Sequence, residues 1–296
     1  MTVATTQVVP PAAATPPHNG FSLISNEMLL QIYSTMLKCR LLHERIGMIV
    51  GEDGQISPLA APSQEAAAVG VGLCLLPGDT LAPSPRGFIP AFVKGLSLEA
   101  IFDRILSALA QKSAGSRPPY ARLKLIPPTL SLAAQLDKAL AAAAANKTAR
   151  NKQIAVVFSA SSTASPDPLH AAMRQAGKRK LPMLFICHSG ADAGDLCQQA
   201  QQCGFPGVIV DANDAVALYR VATEAITHAR RGSGPTLIEC KPWPHSVSLA
   251  GKRLVAASAV QNMETYLIRK GLFDKKFKAK VAAAFRRELD SAMKLN

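Results

Sequence analysis

From Gln153 onward the chain alternates short, continuous apolar runs with longer amphipathic ones. "QIAVVF", "PMLFIC", "GVIVDA" and "PTLIEC" lack the every-other-residue polarity of a half-exposed strand. Such runs, bounded by turn residues, predict strands buried on both faces. Between them, 169–180, 195–203 and 215–231 carry apolar residues at helical spacing. Strands of this kind separated by helices predict a parallel sheet with helices on both faces and right-handed crossovers. Ligands of such sheets bind outside the C-terminal ends of the strands. The loops 159–167, 188–194 and 211–214 are therefore expected to line one rim.

The first half of the chain is helical in pattern. Ser25 or Asn26 caps a helix in which Leu29, Ile32, Tyr33, Met36 and Leu37 share a face. Further helices are expected at 63–76, from 98 to about 112, and at 130–146, the last very rich in alanine. "GSRPPYARLKLIPP" reads as a loop, and a final helical region runs from about residue 256 to the end. The fold class is thus α/β, a doubly covered parallel sheet with a helical N-terminal extension. Residues 1–20, rich in Pro, Ala and Thr, have no basic start and no apolar run of signal-peptide type, and read as a disordered tail before one domain over 21–296.

Composition narrows the picture. With 48% hydrophobic and 18% charged residues the chain is globular, and with only 5% aromatics its core must be built from Ala, Leu, Val and Ile. The net charge of +13 raises a nucleic-acid reading. The positive charge gathers on Arg174, Lys178, Arg179 and Lys180 and between Arg269 and Arg287, with no aromatic interleaving in the first cluster and no nucleic-acid motif. Solvated helix faces, or docking to an acidic protein surface, are favoured over nucleic acid. The six cysteines form no C-x-x-C pair and lie mostly inside apolar patterns, so reduced, buried thiols, a cytoplasmic location and no metal site are expected. The longest apolar stretch, around Ala66 to Pro77, is too short and glycine-broken to cross a membrane.

Several segments carry a family resemblance. "SQEAAAVGVGLCLLPGDTLAPSPRGFIPAFVKGLSLEAIF" is similar to a G-Q-E-A-x-x-V-G segment followed by a Y/H-R-x-H-G-x-x-L-x-x-G segment. "CGFPGVIVDANDAVALYRVATEAITHARRGSGPTLIECKPW" follows the same family along its whole length, and "HSVSLA" from His245 looks like its H-S-x-S-D-P loop. The chain resembles the α subunit of the thiamine-diphosphate-dependent 2-oxo acid dehydrogenase E1 component, of pyruvate, branched-chain and acetoin type, from about Leu29 to the C-terminus. The resemblance implies the thiamine-diphosphate-binding fold and an α₂β₂ heterotetramer with an E1 β subunit. It also implies an α-side motif, G-D-G then N-N, that holds the cofactor's diphosphate and Mg²⁺. Glycines let backbone N–H groups approach the diphosphate, and the acid and amide are hard oxygen ligands for Mg²⁺.

The same alignment exposes departures. G-D-G falls on Ser159, Ala160 and Ser161, and N-N on Ser189 and Gly190, after Cys187 and His188. Arg86 matches the family's diphosphate arginine, but Pro85 and Phe88 replace its neighbours, and "SRPPYARLKL" stands in place of a glycine-rich segment. Leu249 replaces the acid of the loop that begins at His245. Asp167 lies past the metal position and is not read as a replacement ligand. The cofactor-binding positions carried over are Arg86, Ser159, Ala160, Ser161, Ser189, Gly190 and His245, mostly degenerate, with no catalytic residue assigned. His188 is either an acid–base group or a packed side chain, and Glu65 reads as structural.

The leading expectation is a degenerate E1 α-like subunit, structural or regulatory, that pairs with an E1 β-like subunit or with itself and binds thiamine diphosphate weakly or not at all. Two alternatives stay open. One is an active E1 α subunit decarboxylating a 2-oxo acid with a β subunit; the other is a basic polyanion-binding module.

Overall fold

The structure is a computed structural model that describes residues 24–50, 64–85, 87–110, 119–128, 130–161, 168–189, 195–241 and 258–294. The chain order is α1 (Asn26–Val50), α2 (Gln64–Gly72), β1 (Thr80–Ala82), α3 (Phe88–Val93), α4 (Leu98–Leu109), α5 (Leu132–Ala149), β2 (Ala155–Ser161), α6 (Pro168–Lys178), β3 (Met183–Ser189), α7 (Leu196–Gln202), β4 (Gly207–Asp211), α8 (Ala215–Arg230), β5 (Thr236–Lys241), α9 (Ala259–Arg269) and α10 (Lys275–Lys294). Residues 1–20, expected as a tail, lie outside the described residues.

The five strands form one parallel sheet in the order β1-β2-β3-β5-β4. Successive side chains of a strand alternate between faces, and each face has its own core. Val156, Phe158, Leu184, Ile186 and Ile238 join α1, α2, α3, α4, α8, α9 and α10 on one side. Val157, Phe185, Cys187 and Leu237 join α5, α6 and α7 on the other. Strands covered on both sides need apolar residues at consecutive positions, which is why the four central runs are continuous.

Small residues set the closest approaches between layers. A Cβ on Gly70 of α2 would stand 2.9 Å from Leu218 Cβ of α8, and one on Gly177 of α6 would stand 2.0 Å from the Cys203 carbonyl oxygen. Side-chain caps fix where helices begin: Ser97, Ser131, Asp195, Asp214 and Ser258 each accept from a backbone N–H of the first turn.

Four elements differ from the sequence pattern. β1 and α3 were not expected, because three residues are too few to show periodicity and Pro90 breaks the pattern of the second. The C-terminal helical region is two helices, parted at Gly271, whose φ of 68° is in the left-handed region that glycine favours. The strand "QIAVVF" continues through Ser161, so Ser159, Ala160 and Ser161 are strand residues and not part of a loop. Pairing with Cys187, His188 and Ser189 holds them there, and no glycine interrupts the run. None of the described helices is long and apolar enough to cross a membrane.

The N-terminal edge of the sheet is organised by Asp79, which is wholly buried. Its Oδ2 accepts from Leu76 N at 2.8 Å and Arg230 Nη2 at 2.6 Å, and its Oδ1 from Ile154 N at 3.0 Å and Arg230 Nη1 at 3.1 Å. The α2–β1 connection, the entry to β2 and the last turn of α8 are thereby tied to one carboxylate. Breaking a buried ion pair from one side typically costs about 3–5 kcal/mol, since the remaining charge and its donors stay unpaired. Asp79→Ala is expected to lower unfolding stability by about that amount in urea titration. A loss below about 1 kcal/mol would show that the edge is held by other contacts.

Candidate functional site

The expected site positions sit at the C-terminal end of β2 and β3. Register aligns Ser159, Cys187, Glu239 and Ile209 in one row across four strands. The next row is Ala160, His188, Cys240 and Val210, followed by Ser161 beside Ser189. The first row faces the layer of α5, α6 and α7, because its members keep the parity of Val157, Phe185 and Leu237. The second row faces the opposite layer.

Each polar group here has a definite environment. Ser159 is buried and its hydroxyl donates to Cys187 Sγ at 3.1 Å. Ser189 is buried, and its Oγ has no hydrogen-bond partner among the described residues. The Nε2 of His188 is enclosed and likewise unpartnered. Burial alone pushes the His188 imidazole down to about 4, because the charged form loses its water and gains no counter-charge. A neutral ring of this kind accepts or donates hydrogen bonds at neutral pH but holds no proton to give as an imidazolium. The donor set of Ser159, His188 and Ser189 contains no carboxylate.

Of the other expected positions, Arg86, Gly190 and His245 lie outside the described residues, as does Asp167. The structure therefore brings together Ser159, Ala160, Ser161 and Ser189 and adds His188 beside them. Glu65, read as structural, is buried at the start of α2 and paired with Arg40 of α1.

A second cluster was not legible in the sequence. Asp195 caps α7, Cys197 follows in its first turn and Glu239 projects from β5, with one ligand atom of each within 4.8 Å of the others. Glu239 is fully buried, and the Cys197 thiol hydrogen-bonds to its carboxylate. Its charge partner is Lys241, whose Nζ lies 3.1 Å from Oε1. Burial, then the Glu239 carboxylate and Asp195 push the Cys197 thiol up to about 12, against the opposing pull of Lys241. The only sequence signal was a glutamate inside an otherwise apolar strand, "PTLIEC".

Comparison with known proteins sets these sites in a family. Residues 35–295 match the Dehydrogenase E1 component family. This chain belongs to that family. It is 26% identical over 280 residues to the α subunit of acetoin:2,6-dichlorophenolindophenol oxidoreductase of Bacillus subtilis, covering 84% of this chain and 83% of that one. It is 26% identical over 250 residues to the 2-oxoisovalerate dehydrogenase α subunit of the same organism, covering 77% and 75%. It is 23% identical over 288 residues to the pyruvate dehydrogenase E1 component α subunit of Acholeplasma laidlawii, covering 88% and 82%. The E1 match spans both layers and the sheet between them, so the E1 scaffold and the strand-end positions belong to one framework.

His188 supplies a test of the strand-end environment. Its folded-state pKa of about 4 lies below the ordinary 6.5. Between those values the unfolded chain takes up a proton that the folded chain refuses, so stability falls as pH drops through the window. Measured by urea unfolding between pH 6.5 and pH 4, His188→Phe is expected to lose less stability on acidification than the parent chain. Equal pH dependence of the two would mean that the ring charges freely in the folded state.

Proposed function

We propose that this E1 α-like chain has a structural or regulatory role beside an E1 β-like subunit or a second copy of itself, and that it holds thiamine diphosphate weakly or not at all. The observation carrying this reading is the donor set at the ends of β2 and β3. Mg²⁺ takes hard, preferably charged oxygen ligands in near-octahedral geometry. The positions aligned with the family's acid and second amide are Ala160, whose methyl ligates nothing, and Gly190, which has no side chain. The hydroxyl of Ser159 is already committed to Cys187, and the neighbouring imidazole is neutral and enclosed. These residues do not fit a magnesium diphosphate.

Backbone geometry supports the same reading. Glycines in the family motif let a diphosphate lie against the main chain, whereas here Ser159, Ala160 and Ser161 are ladder residues paired with β3. Their backbone groups are engaged in the sheet at the place where a binding loop would turn.

Magnitudes favour weak binding. Losing a residue that merely orients a metal ligand costs about 10–100-fold in affinity. Losing two direct ligands is expected to cost at least about 10²–10⁴-fold. The framework, by contrast, is intact in Asp79–Arg230, Arg40–Glu65 and the close α2–α8 approach at Gly70. A chain that keeps its scaffold and lacks the ion's ligands is suited to assembly more than to cofactor chemistry. The names of the relatives, α subunits of acetoin, 2-oxoisovalerate and pyruvate enzymes, support a subunit partner.

Titration calorimetry of the full chain with thiamine diphosphate and Mg²⁺ tests this. The expected result is no saturable, Mg²⁺-dependent heat. Tight binding that disappears on chelation of Mg²⁺ would overturn the reading and favour an active E1 α subunit.

A further inference from the structure

The geometry points to a second cation site, formed by Asp195, Cys197 and Glu239, that takes a Zn²⁺-class divalent ion through one thiolate and two carboxylates. It stands apart from the positions considered above: Glu239 lies two strands over from Ser159, about 10 Å at the usual strand spacing.

Three observations carry the assignment. The ligand atoms already lie within 4.8 Å of one another, while those around a tetrahedral Zn²⁺ stand about 3.5 Å apart. Closing the remainder falls to Asp195, the exposed member, which uses Oδ1 to cap Gln198 N and leaves Oδ2 to turn inward. Second, Glu239 is completely buried and aimed at the cluster, where the Cys197 thiol hydrogen-bonds to its carboxylate and supplies the proton that a metal would displace. A buried carboxylate in that condition calls for a counter-charge or a ligand. Lys241 supplies one from a half-exposed position, at one oxygen only. Third, Cys197 is fixed in place. A Cβ on Gly207 of β4 would meet Cys197 Cα at 2.6 Å and Sγ at 3.0 Å, so the helix start and its sulfur are packed directly on the strand.

Ligand chemistry selects the ion. A thiolate with carboxylates suits Zn²⁺ and its borderline-soft neighbours, whereas Mg²⁺ and Ca²⁺ favour all-oxygen sets. Binding releases one proton, since the Cys197 S–H bond is replaced by a bond from sulfur to the metal. The thiolate, two carboxylates, a divalent ion and the Lys241 ammonium then sum to zero charge. Three protein ligands leave the fourth tetrahedral position to water, the arrangement of an open site.

Co²⁺ is the probe, titrated into the metal-free full chain without thiamine diphosphate, so the outcome is independent of the cofactor reading. The expected result is one Co²⁺ per chain with a thiolate-to-metal charge-transfer band, displaced by Zn²⁺. Cys197→Ser is expected to abolish the band and weaken Co²⁺ binding at least about 100-fold, and Cys203→Ser, at the far end of the same helix, to leave it intact. Glu239→Gln, checked for folding by circular dichroism, is expected to weaken binding similarly. Absence of the band in the parent chain, or its survival in Cys197→Ser, would overturn the assignment.

Discussion

The sheet depends on one buried carboxylate at its N-terminal edge. Asp79 offers two oxygens, and four donors from three segments of the chain meet them. A charge so deep is tolerable only when every lone pair has a partner and a counter-ion is close. Arg230 answers both needs and also donates to the Lys152 carbonyl oxygen, so the end of α8 is locked to the entry of β2.

The opposite edge has a different character. Among the described residues, His188 and Ser189 carry enclosed polar atoms without hydrogen bonds. Native interiors satisfy nearly all such groups, and the exceptions tend to mark places where something besides packing acts. The entry of the strands thus has its central carboxylate fully paired, whereas their exit keeps unpaired polar atoms, and the exit is where open α/β sheets bind ligands.

Legibility in the sequence follows the same division. Four of the five strands could be read because burial on both faces leaves long apolar runs, as in "PMLFIC". β1 could not, since Thr80–Ala82 owes its place to pairing with β2 and to the Asp79 anchor, neither of which leaves a local pattern. Ser159–Ser161 look like loop by composition and are strand by register, because main-chain pairing with β3 overrides the turn preference of hydroxyl residues. The strand pattern pointed to the ends of β2 and β3 as a rim, and resemblance then supplied the individual positions within it. The Asp195, Cys197 and Glu239 cluster was invisible for another reason: its members come from a helix start and a strand that meet only through the topology β3-β5-β4.

Glu239 shows what this topology does to a polar residue inside a strand. In a sheet covered on both sides, a glutamate between Ile238 and Cys240 has no route to bulk water. The edge strand β4 presents Gly207 where a side chain would otherwise fill the space, and the start of α7 occupies it with Cys197 instead. Carboxylate and thiol are thus brought together by packing before any ligand is considered. Among the described residues Lys241 is the one counter-charge paired with Glu239, so the two carboxylates of the cluster stand in excess of a single ammonium. A cation at this point would relieve that excess without disturbing either core. Both ends of the sheet then obey one constraint: a buried charge needs a partner, which Arg230 supplies to both oxygens of Asp79 and Lys241 supplies to one oxygen of Glu239.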